Sequence, residues 1–154
     1  MTQMRCITLF LLVFSAFLTA CGDSSPSADE NFVQDPSLCQ FQQGACKQLV
    51  DGVGVSLTLY PEHAPSEENL QLAVNFDQTV NNVSYVVEGR DMFMGVIPGK
   101  LAASPVNNAQ QLFEGNLIYG SCSSDYMIWR MTLNFETENG VQTAVFDFRA
   151  DNPI

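Results

Sequence analysis

Two methionines stand two residues apart in Gly89-Arg90-Asp91-Met92-Phe93-Met94-Gly95. In an extended segment side chains alternate, so both thioethers would lie on one side of the chain. Soft sulfur ligands select Cu(I) over the ions that prefer oxygen. Downstream, Gly120-Ser121-Cys122 leads through a short polar stretch to Met127. If that stretch folds toward Met92 and Met94, Cys122 and Met127 complete a mixed thiolate and thioether site. The same residues also suit a packed interior. Met127 and Met131 alternate with Ile128 and Arg130 and share a face with Trp129 and Leu133, the pattern of a core strand. Met92 and Met94 flank Phe93, and one of those two faces must be buried.

Other chemistries find little support. The single histidine, His63, sits in an acidic loop bounded by Pro61 and Pro65 and reads as a surface residue. One histidine is too few for a multi-histidine zinc site. The carboxylates are spread along the chain without EF-hand spacing. No phosphate-binding glycine loop, nucleophile–base pair or metal-hydrolase spacing stands out, so the chain reads as a binding protein and not an enzyme. With 17 acidic against 6 basic residues the net charge is −11, and nothing would neutralise the phosphates of a nucleic acid.

The cysteines bear on structure as well as on ligation. Cys39 and Cys46 bracket the short run QFQQGA, so a local disulfide between them is easy to close. Pairing either one with Cys122 is the alternative. It would close a loop of over 70 residues, contributing about 4 kcal/mol in the chain-entropy model.

The first residues read as an address. Met1 to Arg5 carries one positive charge, and Cys6 to Phe17 is an apolar run of 12, right for a signal sequence and too short for a mature span. Leu18-Thr19-Ala20-Cys21 follows directly and resembles the bacterial lipobox; a plain secretory signal is the alternative. The resemblance implies cleavage before Cys21 and a diacylglyceryl thioether on its sulfur. Residues 1–20 are then a lipoprotein signal peptide, and residues 21–34 a lipidated tether rich in Ser, Asp, Glu and Pro. The mature chain keeps 134 of the 154 residues and, without Arg5, a charge of −12. Acyl chains hold such a protein to the bilayer at about 0.8 kcal/mol per buried CH₂. Gly22, where the inner-membrane retention signal has Asp, favours the periplasmic face of the outer membrane.

The elements that must position these residues read as strands. Residues 35–154 alternate short apolar-periodic runs with turns. Val55, Leu57 and Leu59 share a face in Val53 to Tyr60. Leu70, Leu72, Val74 and Phe76 form a second run, and Val83, Tyr85 and Val87 a third within Val80 to Glu88. Phe113, Leu117 and Tyr119 form a fourth within Leu112 to Tyr119. Met127, Trp129, Met131, Leu133 and Phe135 form a fifth. Ala144, Phe146 and Phe148 form the last, after a turn at Glu138-Asn139-Gly140 with Asn-Gly at its centre. About seven strands predict an all-β domain, an antiparallel β-sandwich of immunoglobulin-like type, with a small closed barrel as the alternative.

From residue 53 to residue 148 the order of motifs resembles the YtkA-like and FixH-like envelope domains. The features are Met92-Phe93-Met94-Gly95 after a strand and a glycine, then Phe113-Glu114-Gly115, then the strand of Met127-Ile128-Trp129, then a final strand ending Phe146-Asp147-Phe148. The resemblance implies an immunoglobulin-like module in copper handling or respiratory oxidase assembly. The chain departs from that family in lacking a histidine beside its methionines and in adding cysteines. The expectation is thus a membrane-anchored envelope lipoprotein whose partner is the bilayer through Cys21, with Met92, Met94, Cys122 and Met127 as Cu(I) ligands. The alternative is a non-metal interaction or inhibitor module whose charge steers a basic or membrane-bound envelope protein toward it.

Overall fold

The computed structural model describes residues 35–105, 111–122 and 127–151. The signal and tether assigned to residues 1–20 and 21–34, with Cys21, lie outside the described residues. Among the described residues no helix is long and apolar enough to cross a membrane.

The described chain is all-β. In order the strands are β1 (Leu38–Cys39), β2 (Cys46–Val50), β3 (Val53–Tyr60), β4 (Leu70–Phe76), β5 (Asn81–Gly89), β6 (Val96–Lys100), β7 (Ala102–Ala103), β8 (Gln111–Leu117), β9 (Ile128–Thr137) and β10 (Gly140–Arg149). One sheet has the order β1-β10-β9-β5-β6 and the other β2-β3-β4-β8-β7. All pairings are antiparallel except β1 with β10, which run parallel. The two sheets pack face to face as a sandwich, because alternation gives each long strand one apolar face that must leave water.

The faces are those the alternation predicts. Val55, Leu57 and Leu59 of β3, Leu70 to Phe76 at alternate positions of β4, and Val83, Tyr85 and Val87 of β5 are buried. So are Phe113 and Leu117 of β8, Trp129 to Phe135 at alternate positions of β9, and Ala144, Phe146 and Phe148 of β10. Full burial of one such side chain contributes about 1.5–3 kcal/mol. Rings join the layers. Phe76 of β4 lies 5.0 Å from Phe135 of β9, and Tyr119 stacks at 4.9 Å on Trp129.

Four strands were not foreseen: β1, β2, β6 and β7, the outermost strands of the two sheets. An outer strand meets a neighbour on one side only, so its sequence need not alternate cleanly. β6 reads VIPGK, and its Pro98 is tolerable only where no ladder hydrogen bond is required of its nitrogen. The β9–β10 turn also differs in detail. Thr137 pairs with Gly140, so Glu138 and Asn139 are the central residues, and Gly140 takes the positive φ of 111°.

The disulfide is the local one. Cys39 and Cys46 are bonded, which excludes Cys122 as the partner of either. Because Cys39 lies in β1 and Cys46 in β2, the bond staples the rim of one sheet to the rim of the other.

Two buried phenols tie loops and layers together. Tyr119 donates from its hydroxyl to the Ala64 carbonyl at 2.6 Å, and Tyr85 donates to the Asn116 carbonyl at 2.8 Å. Burial, with a smaller contribution from Asp151, pushes the Tyr119 phenol well above its ordinary range; burial also raises Tyr85. A raised folded-state pKa means stability is intact below the ordinary phenol value of 10.0 and is lost as pH climbs past it. Urea midpoints are expected to hold between pH 8 and about 9.5 and to fall above about pH 10. Tyr119→Phe should flatten that fall; an equally steep fall in the variant would contradict the assignment.

Candidate functional site

Three loops meet at one end of the sandwich. The first joins β3 to β4, the second joins β5 to β6, and the third follows β8 and leads into β9. Hydrogen bonds hold the first against the third: Glu67 N donates to the Tyr119 carbonyl at 2.8 Å, and Ser121 Oγ donates to Glu67 Oε1 at 2.6 Å. Asp151, just past β10, accepts from Ser66 N and Oγ at 2.8 and 2.6 Å and closes the first loop from below. Ser121 is therefore fixed, and its neighbour Cys122 is presented to the second loop.

There the Cys122 thiol donates to the Met92 thioether, with the sulfurs 3.8 Å apart. Cys122 is half-buried, and Met92 is 49% exposed. Beneath them lies Gly89, the last residue of β5. A Cβ there would stand 2.2 Å from the Met92 carbonyl oxygen and 2.7 Å from the Met127 methyl. Glycine is thus required for the Met92 loop and Met127 to close over the strand end. Gly89 opens the sequence motif, but its role as this cradle is not apparent from the motif alone. The sequence shows only a glycine at the end of the β5 alternation just before the methionines.

The four proposed ligands are distributed unequally. Arg90 to Met92 bend instead of continuing the strand, so the alternation expected of Met92 and Met94 does not hold. Met92 reaches outward to Cys122, Phe93 is 83% exposed, and Met94 packs against the core. Met127 is buried, with its methyl toward Gly89. The structure therefore brings Met92 and Cys122 into sulfur contact and places Met94 and Met127 on the apolar floor. His63 is half-buried, not fully solvated.

The pair fits a soft cation on distance. A first-row metal–sulfur bond is about 2.3 Å. Twice that exceeds the 3.8 Å separation, so both sulfurs reach one ion without moving apart. Among the described residues, no group of three or more His, Cys, Asp or Glu is placed to hold a metal. The donor set is soft sulfur, which favours Cu(I) over harder ions.

Charge beside the pair is largely compensated. Arg90, two residues before Met92, contacts Asp91 at 3.1 Å, Asp35 at 3.1 Å and Asp147 at 3.6 Å. Asp147 also takes a bidentate pair of hydrogen bonds from Arg130 at 2.8 and 2.9 Å. Hydrogen bonds from Ser37, then from Arg90, hold the Asp35 carboxyl below its ordinary value. Asp35, the first described residue, is thereby fastened to the strand end that carries the Met92 loop.

No protein-family model matches the chain, and no curated protein matches it significantly.

Proposed function

We propose that this chain is a lipid-anchored protein of the bacterial envelope that binds Cu(I) through Met92 and Cys122. The observation that carries the reading is the sulfur pair itself, 3.8 Å apart and open to solvent on the Met92 side. Copper here is cargo. The Cys122 thiol releases its proton on binding, so one thiolate balances one monovalent cation, and affinity rises with pH. Met92 supplies a neutral second sulfur. Ser121, held by Glu67, orients the loop that presents the thiol, and Gly89 allows the Met92 turn to come close. An open pair of ligands suits a site that accepts and gives up its ion, in keeping with the lipobox at Cys21 and the likeness to copper-handling envelope domains.

The test is a competition titration with a chromophoric Cu(I) chelator, using the full chain with Cys6 and Cys21 replaced by Ser. Met92→Leu and Cys122→Ser are each expected to weaken binding at least tenfold, about 1.4 kcal/mol, and the double variant to abolish competition. Met131→Leu, a change within the core, should not alter affinity. Equal affinity in the double variant would overturn the reading.

A further inference from the structure

Among the described residues, the outer edge of β10 is the longest stretch of sheet edge without a strand partner. β1 covers only Asp147 and Phe148, so from Gly140 to Val145 the strand pairs with β9 on one side alone. The Val145 peptide groups show which way this edge faces. Its N–H donates to Gln48 Oε1 at 3.2 Å, and its carbonyl accepts from Gln48 Nε2. Val145 therefore turns its peptide groups away from β9, and by alternation Val141 and Thr143 do the same. The Gln48 amide stands in for one peptide group of a missing strand.

The residues on this edge lack the usual guards. β6 carries Pro98 and Lys100, and β1 and β7 are two residues long. Gly140 to Val145 has no proline and no charge, in a chain of net charge −11. Sheet edges are ordinarily blunted by one or the other. Val141 is 66% exposed and Val145 37%.

We infer that this edge pairs with a second copy of the chain, antiparallel, about a two-fold axis through Thr143. The sequence Val141-Gln142-Thr143-Ala144-Val145 is self-complementary about its centre. In that register Thr143 faces Thr143 of the second copy and Val141 faces Val145, all with outward peptide groups. Thr opposite Thr is a favourable cross-strand pair, and valine suits a pleated strand surface. The absence of charge matters most here, because an isologous contact places each charge against its own kind. Gln48 competes for Val145 and must swing aside, which weakens the pairing and makes it adjustable. The inference is independent of the copper site.

Cysteine cross-linking tests it, using the full chain in detergent with Cys6, Cys21 and Cys122 replaced by Ser. Hydrogen-bonded antiparallel partners have Cα atoms about 5.5 Å apart, within disulfide range. Thr143→Cys is expected to form a dimer on mild oxidation. Val141→Cys and Val145→Cys should cross-link when mixed and far less when alone. This register dependence separates strand pairing from association through the apolar residues 6–17. Gln48→Ala, which removes two competing hydrogen bonds from each copy, should tighten the dimer at least tenfold, about 1.4 kcal/mol, and Val141→Glu should abolish it. Absence of Thr143→Cys dimers, or cross-linking indifferent to position, overturns the proposal and leaves the edge to another chain or to none.

Discussion

Gly99→Ala is expected to cost about 3 kcal/mol, read as a lowered urea midpoint. Gly99 lies opposite Tyr85 in the β5–β6 ladder. A Cβ at residue 99 would fall 2.1 Å from Tyr85 Cζ and 2.3 Å from its hydroxyl oxygen. The ring has little freedom to retreat, since it is 5% exposed and its hydroxyl is spent on Asn116 of the opposite sheet. Overpacking a core typically costs 1–3 kcal/mol, and breaking the Tyr85 hydrogen bond adds about 1 more. Tyr85→Phe should cost only the smaller, hydrogen-bonding part. In a Tyr85→Leu background, where the ring is gone, Gly99→Ala should become nearly neutral. If the glycine substitution costs as much there, the ring is not what it strikes.

Removal of the disulfide should have an effect of similar size. For Cys39→Ser with Cys46→Ser, loop closure over this short separation of 7 residues corresponds to about 2.5 kcal/mol. In a domain of this size that lowers the melting temperature by about 10 °C. The bond joins the rims of both sheets, and β1 keeps only two ladder positions on β10 without it. Dithiothreitol should reproduce the shift in the native chain and leave the double variant unmoved. A melt unaffected by either treatment would show that Phe41, buried against Phe148, holds this corner alone.

Much of the fold is legible in the sequence, and the reason is geometric. A strand buried on one face alternates with period two, and β3, β4, β5, β9 and β10 obey that rule closely. Their positions and inward faces follow from the chain without tertiary information. The outer strands do not, because β1, β2, β6 and β7 each answer to one neighbour and carry Pro98, Lys47 or no clear pattern. Ile128 and Arg149 break the rule from the other side. They are paired in register on β9 and β10, yet both are buried on what alternation makes the outward face.

The site divides in the same way. Order along the chain singles out Met92, Met94, Cys122 and Met127 as candidate soft donors, but spacing leaves Cys39 and Cys46 able to pair with each other or with Cys122, and the bond between them is decided by the fold. Which sulfurs meet depended on loops remote in sequence. Met92 and Cys122 are 30 residues apart, and their contact requires the Glu67–Ser121 bond and a strand end without a side chain at Gly89. Periodicity is a property of neighbours along the chain, so one-dimensional reading recovers it. Contact between loops is set by how the two sheets stack, which no local spacing encodes.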